Sequence, residues 1–386
     1  WVDVFGRVSV DSYNELQEER RAVGSIPTEF GIGTGSASDG SFSRSDQGSG
    51  YLRRDITSSE YNFDLMLNFK KDFSKDLSFR GVLGTNIRRT NYDRIISATN
   101  GGLGVPRIYS LQNSVGPLPY SKELASKIGV DGIYGSASFG YKSMIYLDLT
   151  LRNDHSSTLP PKNSSYPYPS VATSFIFSEV LKQDWLSFGK VRLNYAAVSN
   201  GAGFDQLINR YNVYTPLNSP MTSVDGVFKN AGLLPEKTSS LEAGLEMYFL
   251  NKRLGFDLAF YKTNTTDQIL PLSVSTAVGI NDKIINAGEI QNKGIELTIM
   301  GTPVKTNDLR WNIAVNWSRN RNEVISLIEG VENLQLGTFQ GGITLNAQVG
   351  QPYSVLFGTD YTYADGQRIV NAANGEYITT STSDNI

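Results

Sequence analysis

The stretch Tyr61-Asn62-Phe63-Asp64-Leu65-Met66-Leu67-Asn68-Phe69 decides how this chain is read. In an extended backbone successive side chains point to opposite faces, so Tyr61, Phe63, Leu65, Leu67 and Phe69 share one side. Asn62, Asp64, Met66 and Asn68 take the other. The next alternating segment begins at Leu77, across the short connection Lys70–Asp76, and the one after it lies beyond a long connection, Asn91–Asp131. The order then repeats. Short connections at Lys142–Met144, near Glu179–Trp185, at Leu250–Arg253 and at Pro303–Asp308 alternate with long ones at Asn153–Pro169, Asn200–Lys237, Thr265–Gln291 and Arg321–Gln351. A soluble sandwich gives loop length no reason to follow strand parity. Outer-membrane barrels do, with short periplasmic turns and long extracellular loops.

The pattern predicts eleven strands: Val2–Asp11, Glu60–Lys70, Leu77–Arg89, Gly132–Tyr141, Ile145–Arg152, Ser170–Phe177, Phe188–Val198, Ser239–Phe249, Leu254–Lys262, Lys293–Gly301 and Leu309–Asn320. A twelfth, weaker one falls at Ser354–Tyr363. Most approach the roughly 9–11 residues that a tilted spanning strand needs. Residues 24–50, rich in Gly, Ser and Asp, read as a flexible extracellular loop.

Each strand carries one apolar and one polar face. Leu241, Ala243, Leu245, Met247 and Phe249 alternate with Ser240, Glu242, Gly244 and Glu246; Leu309, Trp311, Ile313, Val315 and Trp317 alternate with Arg310, Asn312, Ala314 and Asn316. The polar set is mixed in sign: Asp64, Asp148, Glu242, Glu246, Asp257 and Glu296 against Arg80, Arg88, Arg152, Lys190, Arg192 and Arg310. Burying these charges in a packed core would be costly without pairing. A wide, wet lumen hydrates them, and only a barrel of many strands has one. The expected fold is therefore all-β, antiparallel, about half of a large transmembrane barrel, open as given.

Composition agrees. The 386 residues include 20 Tyr and 18 Phe, enough for aromatic girdles at both membrane interfaces. A mean hydropathy of -0.26 and the lack of a long apolar run exclude a helical membrane protein, but not a barrel, in which every second residue meets lipid. A net charge of -3 gives no argument for nucleic acid. Cysteine is absent, which removes disulfides and thiolate chemistry. The chain opens at Trp1 without a signal peptide, so a fragment of an exported protein is expected.

Catalytic readings fail on geometry. The single histidine, His155, lies between Asp154 and Ser156, and neighbours on a strand point apart, so these three cannot form a relay. Gly31-Ile32-Gly33-Thr34-Gly35 has no following helix to hold a phosphate. Glu242 and Glu246 stand about 13 Å apart along a strand, too far for paired-carboxylate glycoside cleavage. No enzyme activity, cofactor or metal is expected.

Several segments resemble the SusC/RagA family of TonB-linked outer-membrane transporters of Bacteroidetes-type bacteria. The strongest is Asn286-Ala287-Gly288-Glu289-Ile290-Gln291-Asn292-Lys293-Gly294-Ile295-Glu296-Leu297, followed by Thr302-Pro303 and Leu309-Arg310-Trp311-Asn312. Leu234-Pro235-Glu236-Lys237-Thr238, Asp267-Gln268-Ile269-Leu270, the block Arg152–Pro160 and Tyr168-Pro169-Ser170 add to it. His155 departs from the pattern, which commonly has Trp there. The resemblance implies a plugged barrel of roughly 22 strands. It also implies TonB–ExbB–ExbD as energy source, a SusD-like lipoprotein lid, outer-membrane lipid around the wall, and import of an oligosaccharide or oligopeptide. Plug, TonB box and closing strands are not visible in these residues. A passive channel and a surface adhesin or binding protein are the alternatives. Gly288 and Gly294 are expected to serve the backbone, through positive φ or close approach.

Overall fold

The computed structural model describes residues 1–22, 49–214, 221–339 and 343–380. Most of residues 24–50, the Gly31–Gly35 run included, lies outside the described residues. The first strands are β1 (Val2–Arg21), β2 (Gly50–Asp72), β3 (Leu77–Ala98), β4 (Lys122–Tyr141), β5 (Ile145–Ser156), β6 (Ser165–Phe175) and β7 (Leu186–Asn200). Three short ones follow, β8 (Tyr211–Tyr214), β9 (Met221–Val224) and β10 (Val227–Phe228). Then come β11 (Glu236–Phe249), β12 (Leu254–Ser273), β13 (Asp282–Lys305) and β14 (Arg310–Ser326). The last are β15 (Asn333–Thr338), β16 (Thr344–Gln348), β17 (Val355–Phe357), β18 (Tyr363–Ala364) and β19 (Gln367–Arg368).

All eleven expected strands are present, and they neighbour one another in chain order: β1 to β7, then β11 to β14. From β5 to β7 and from β11 to β14 neighbouring strands are antiparallel; among the described residues the short β10 runs parallel, at the tip of β13. Among the described residues β1 and β14 each have one neighbour in this sheet, so it is open.

Two expectations need correction. Thr265–Gln291 is not a loop: β12 runs on to Ser273 and pairs with Asp282–Glu289 of β13. In the same way β1, β3 and β5 continue to Arg21, Ala98 and Ser156. Their outer halves carry polar residues in place of the apolar alternation, Glu and Arg on β1 and Thr and Asn on β12, because a strand standing in water needs no lipid-facing side. The backbone ladder carries it outward, and rim side chains pack against it. Ser354–Tyr363 is also not a spanning strand. It supplies β17, which pairs with β16 in a separate small sheet, β15-β16-β17, and the first residue of the two-residue β18.

The chain divides into two compact units: Trp1–Val4 with Met66–Gly84 and Gly132–Ile386, and Phe5–Leu65 with Thr85–Asp131. In the second, Asn113 organises the β3–β4 connection. Its Oδ1 accepts from the Val105 amide at 2.9 Å, and its Nδ2 donates to the carbonyls of Val105 and Ile108 at 2.7 Å. In the first, the β4–β5 and β11–β12 connections are tight turns. Lys142 and Ser143 have φ of 50° and 55°, and the Met144 amide donates to Tyr141 O at 2.9 Å, as in a type I′ hairpin turn.

Candidate functional site

Register places nine of the twelve predicted lumen residues on one face; Arg88, like Asp64, lies in the other unit. A row of directly opposed residues runs Asp148, Ala172, Asn194, Glu242, Tyr261, Gly294, Asn320 from β5 to β14 without a break. The next row holds Arg192, Gly244, Ala259, Glu296 and Ser318, and the one beyond it Lys190, Glu246, Asp257, Thr298 and Asn316. Arg152, opposite Tyr168, and Arg310, opposite Lys305, have the same parity. Arg80 shares parity on β3 with Ser78, whose Oγ reaches Gly140 O at 3.4 Å, and so joins this face. Asp64 belongs to the other unit, where Arg7 holds it through Nε at 2.9 Å and Nη2 at 2.8 Å and Asn86 Nδ2 donates at 2.7 Å.

The charges on the first unit's face are arranged, not scattered. Glu246 lies directly opposite Asp257, a destabilising like-charge pair, and its other neighbour is Lys190, with Nζ 3.8 Å from its carboxylate. Arg192 bridges diagonally, with Nε 3.2 Å from Glu242 and Nη1 2.8 Å from Asp257. It can do so because the residue beneath it is Gly244, where a Cβ would stand 2.4 Å from Arg192 Nε. Asp148 accepts from Ser138 Oγ, and Arg152 donates to Asp154 at 2.8 Å while lying over the Tyr134 ring. Arg310 Nε donates to Asn312 at 3.2 Å. Among the described residues no group of three His, Asp or Glu lies close enough to hold a metal ion.

The opposite face is apolar and exposed. Leu241, Phe260 and Val315 are 51%, 49% and 55% exposed, whereas the side chains of Arg192 and Glu246 are only 21% and 22% exposed. That inverts a water-soluble fold. Leaving one such apolar side chain half in water forfeits about 1 kcal/mol, so ten of them forfeit about as much as a whole domain's net stability. A face of this kind is stable only against hydrocarbon.

Beyond the apolar band, at the long-loop end, residues distant in sequence assemble a small core. Leu159, Tyr166, Ala202, Leu233 and Ile284 are buried together, with Tyr168, Leu207, Val227 and Ile269 packed on them. Asn286 locks its edge: Oδ1 accepts from the Leu234 amide at 2.8 Å, and Nδ2 donates to Leu234 O at 2.9 Å and Asp267 O at 2.8 Å. Glu236 accepts from the Ile269 amide at 2.8 Å. Three of the resembling segments thus meet at one point. Opposite each other there, Asp267 and Gly288 have φ of 57° and 81° and interrupt the β12–β13 ladder. Gly294 has the other expected role, close approach: a Cβ would stand 2.6 Å from Arg319 O and from the Tyr261 ring. A second rim core joins Val324, Leu334 and Ala347 to Leu270, Leu272 and Tyr353, and burial there pushes the Tyr353 phenol above its ordinary value. The strand pattern missed both cores. The signal available was apolar residues inside supposed loops, Leu159, Leu233 and Ile284, with no period to place them. His155 is exposed while Asp154 and Ser156 are buried on the other side, so the three do point apart.

Comparison with known proteins agrees with this geometry. The model of the TonB dependent receptor-like β-barrel matches residues 12–385. The TonB-dependent receptor P26 of Formosa agariphila is 29% identical over 217 residues, 54% of this chain and 22% of the relative. TonB-dependent receptor SusC of Bacteroides thetaiotaomicron is 28% identical over 210 residues, 51% of this chain and 21% of the relative. The RagAB peptide importer in its closed-closed state superposes with a TM-score of 0.76 at 19% identity, over 99% of this chain and 41% of that one. The chain therefore spans well under half the length of these three relatives. Such barrels are integral to the outer membrane. From residue 12 to residue 385 the chain belongs to the TonB-dependent receptor β-barrel family, in its SusC-like form.

Proposed function

We propose that this chain is barrel wall from an outer-membrane importer that passes an oligosaccharide or oligopeptide along its polar face. In the longer protein, TonB with ExbB and ExbD supplies the energy and a SusD-like lipoprotein closes the extracellular mouth. The observation that carries this reading is the unbroken polar face across β5, β6, β7, β11, β12, β13 and β14. Its ionisable groups are of both signs, and Lys190 and Arg192 pair with Glu246, Glu242 and Asp257, so it presents donors and acceptors without a strong net field, which suits a neutral polar oligomer. The peptide importer among the fold neighbours supports the oligopeptide class.

The test is uptake of fluorescent oligosaccharides and oligopeptides by cells expressing the full-length protein, with and without TonB. Uptake of one class is expected to stop when TonB is removed. Uptake that continues unchanged without TonB would replace the importer by a passive channel.

A further inference from the structure

The apolar face of β11 to β14 ends abruptly, and it ends on cations. Leu245, Leu258, Leu297 and Trp317 oppose one another in one row of that face. Two rows nearer the long loops, Leu241 is followed by Lys262, Lys293 and Arg321, directly opposed on three adjacent strands. Arg319 stands in the row between, opposite Ile295. All four basic residues are exposed. Like charges directly opposite one another destabilise a sheet, so this row calls for a counter-charge. Among the described residues one carboxylate supplies it: Glu323, 3.5 Å from Lys293 Nζ. The next carboxylate along this face, Glu289, is engaged by Asn264 Nδ2. Four basic groups face one acid.

Depth identifies the missing anion. From Leu254, where β12 leaves its short turn, to Lys262 is about 27 Å along the strand. At a tilt of about 40° that is roughly 20 Å of height, most of the apolar band of a barrel of this kind. Lys262, Lys293 and Arg321 therefore lie at the plane where hydrocarbon gives way to headgroups, on the long-loop side. Long basic side chains keep their stems on apolar surface and extend their charged heads past it, and both lysine and arginine bind phosphate oxygens strongly.

We propose that Lys262, Lys293 and Arg321, with Arg319, form a binding site on the outer wall of the barrel for the phosphate groups of an outer-leaflet lipid. The acyl chains of that lipid lie along Phe260, Ile295 and Trp317. The site requires that the barrel be embedded with its long loops outward, and it is independent of what the barrel transports.

The test uses the full-length protein in phosphatidylcholine nanodiscs containing either diphosphorylated lipid A or dephosphorylated lipid A, with retained lipid read by native mass spectrometry. Wild type is expected to retain the diphosphorylated form selectively. The triple variant Lys262→Gln, Lys293→Gln, Arg321→Gln should lose about tenfold in retention, as expected when charge-assisted phosphate contacts are removed. Lys262→Arg with Lys293→Arg should retain the lipid, and Lys182→Gln with Lys252→Gln, at the short-turn end, should be silent. The single variant Lys293→Gln, with an intermediate loss, serves if the triple variant does not fold. Equal retention of both lipids by wild type, or full retention by the neutralised variants, would overturn the site. So would capture of an acidic protein on this row in place of the lipid.

Discussion

The two ends of the strands in the first unit are built on opposite principles. At the short-turn end each connection is closed by its own residues: Leu250, Asn251 and Lys252 take φ of 52°, 56° and 61°, and the Arg253 amide returns to Phe249 O at 3.1 Å. At the long-loop end, closure comes from partners far apart. Leu159 packs with Leu233 and Ile284, and Asn163 Nδ2 donates to Leu233 O at 2.9 Å. A turn in water needs only to reverse the chain. A long loop must bury apolar surface to offset the entropy of ordering it. Long connections in this unit are thus a second, extramembrane core laid over the strand ends.

The largest expected contrast is all-or-none. A cysteine at Thr222 should react with an impermeant maleimide on intact cells expressing the full-length protein, and one at Asn251 should not. The reverse labelling would invert the topology and with it the lipid-leaflet assignment.

Leu233→Ala, at a position with 0% exposure, should cost about 3–4 kcal/mol of rim stability through the cavity it leaves. Hydrogen exchange should show the loss across the Asn163, Leu207 and Ile284 segments and leave Leu250–Arg253 untouched. Loosening at both ends would mean that the rim is no separate core.

Between the ends, Leu245→Arg should destabilise the barrel by about 2–4 kcal/mol, since it places a charge in lipid near mid-depth. Glu246→Arg, on the polar face, should cost under about 1 kcal/mol, because the charge stays hydrated. Comparable losses in unfolding titrations would reject the register, since a one-residue slip exchanges the faces.

Asn286→Ala removes three hydrogen bonds to backbone groups and should cost the rim about 1–3 kcal/mol, read as faster exchange of the Leu234 amide. Smallest of all, Lys252→Gly should stabilise the turn by under about 1 kcal/mol, since glycine adopts its left-handed φ without the cost a side chain bears. A destabilising result there would show that the Lys252 side chain is needed for more than the turn.

Much of the wall was legible before any coordinates. Leu241 through Phe249 alternates so cleanly that its apolar and polar faces follow from the period alone, and its partner strands repeat the pattern. The outer halves of β12 and β13 were not legible. Thr265, Thr266, Gln268 and Asn286 have the composition of a loop, and pairing with neighbouring strands makes them strand. Ser354–Tyr363 erred the other way: it has aromatic strand-like composition, but its longest paired run is three residues, Val355–Phe357. Nine of the polar-face residues share one parity along paired strands, but nothing in the sequence said that Arg192 bridges Glu242 and Asp257 over the bare backbone of Gly244.

What the sequence by itself determined is whatever depends on the two-residue period and on loop length: eleven strands, two chemically distinct faces, and an alternation of long and short connections that separates the two membrane sides. These are local properties, set by where each side chain points along its own strand. Only the tertiary structure decided which strand residues oppose one another, that Lys262, Lys293 and Arg321 form one row, and that Leu159, Leu233 and Ile284 share a core. Those contacts join residues tens of positions apart. They depend on register and on the burial of side chains by partners that no local pattern names.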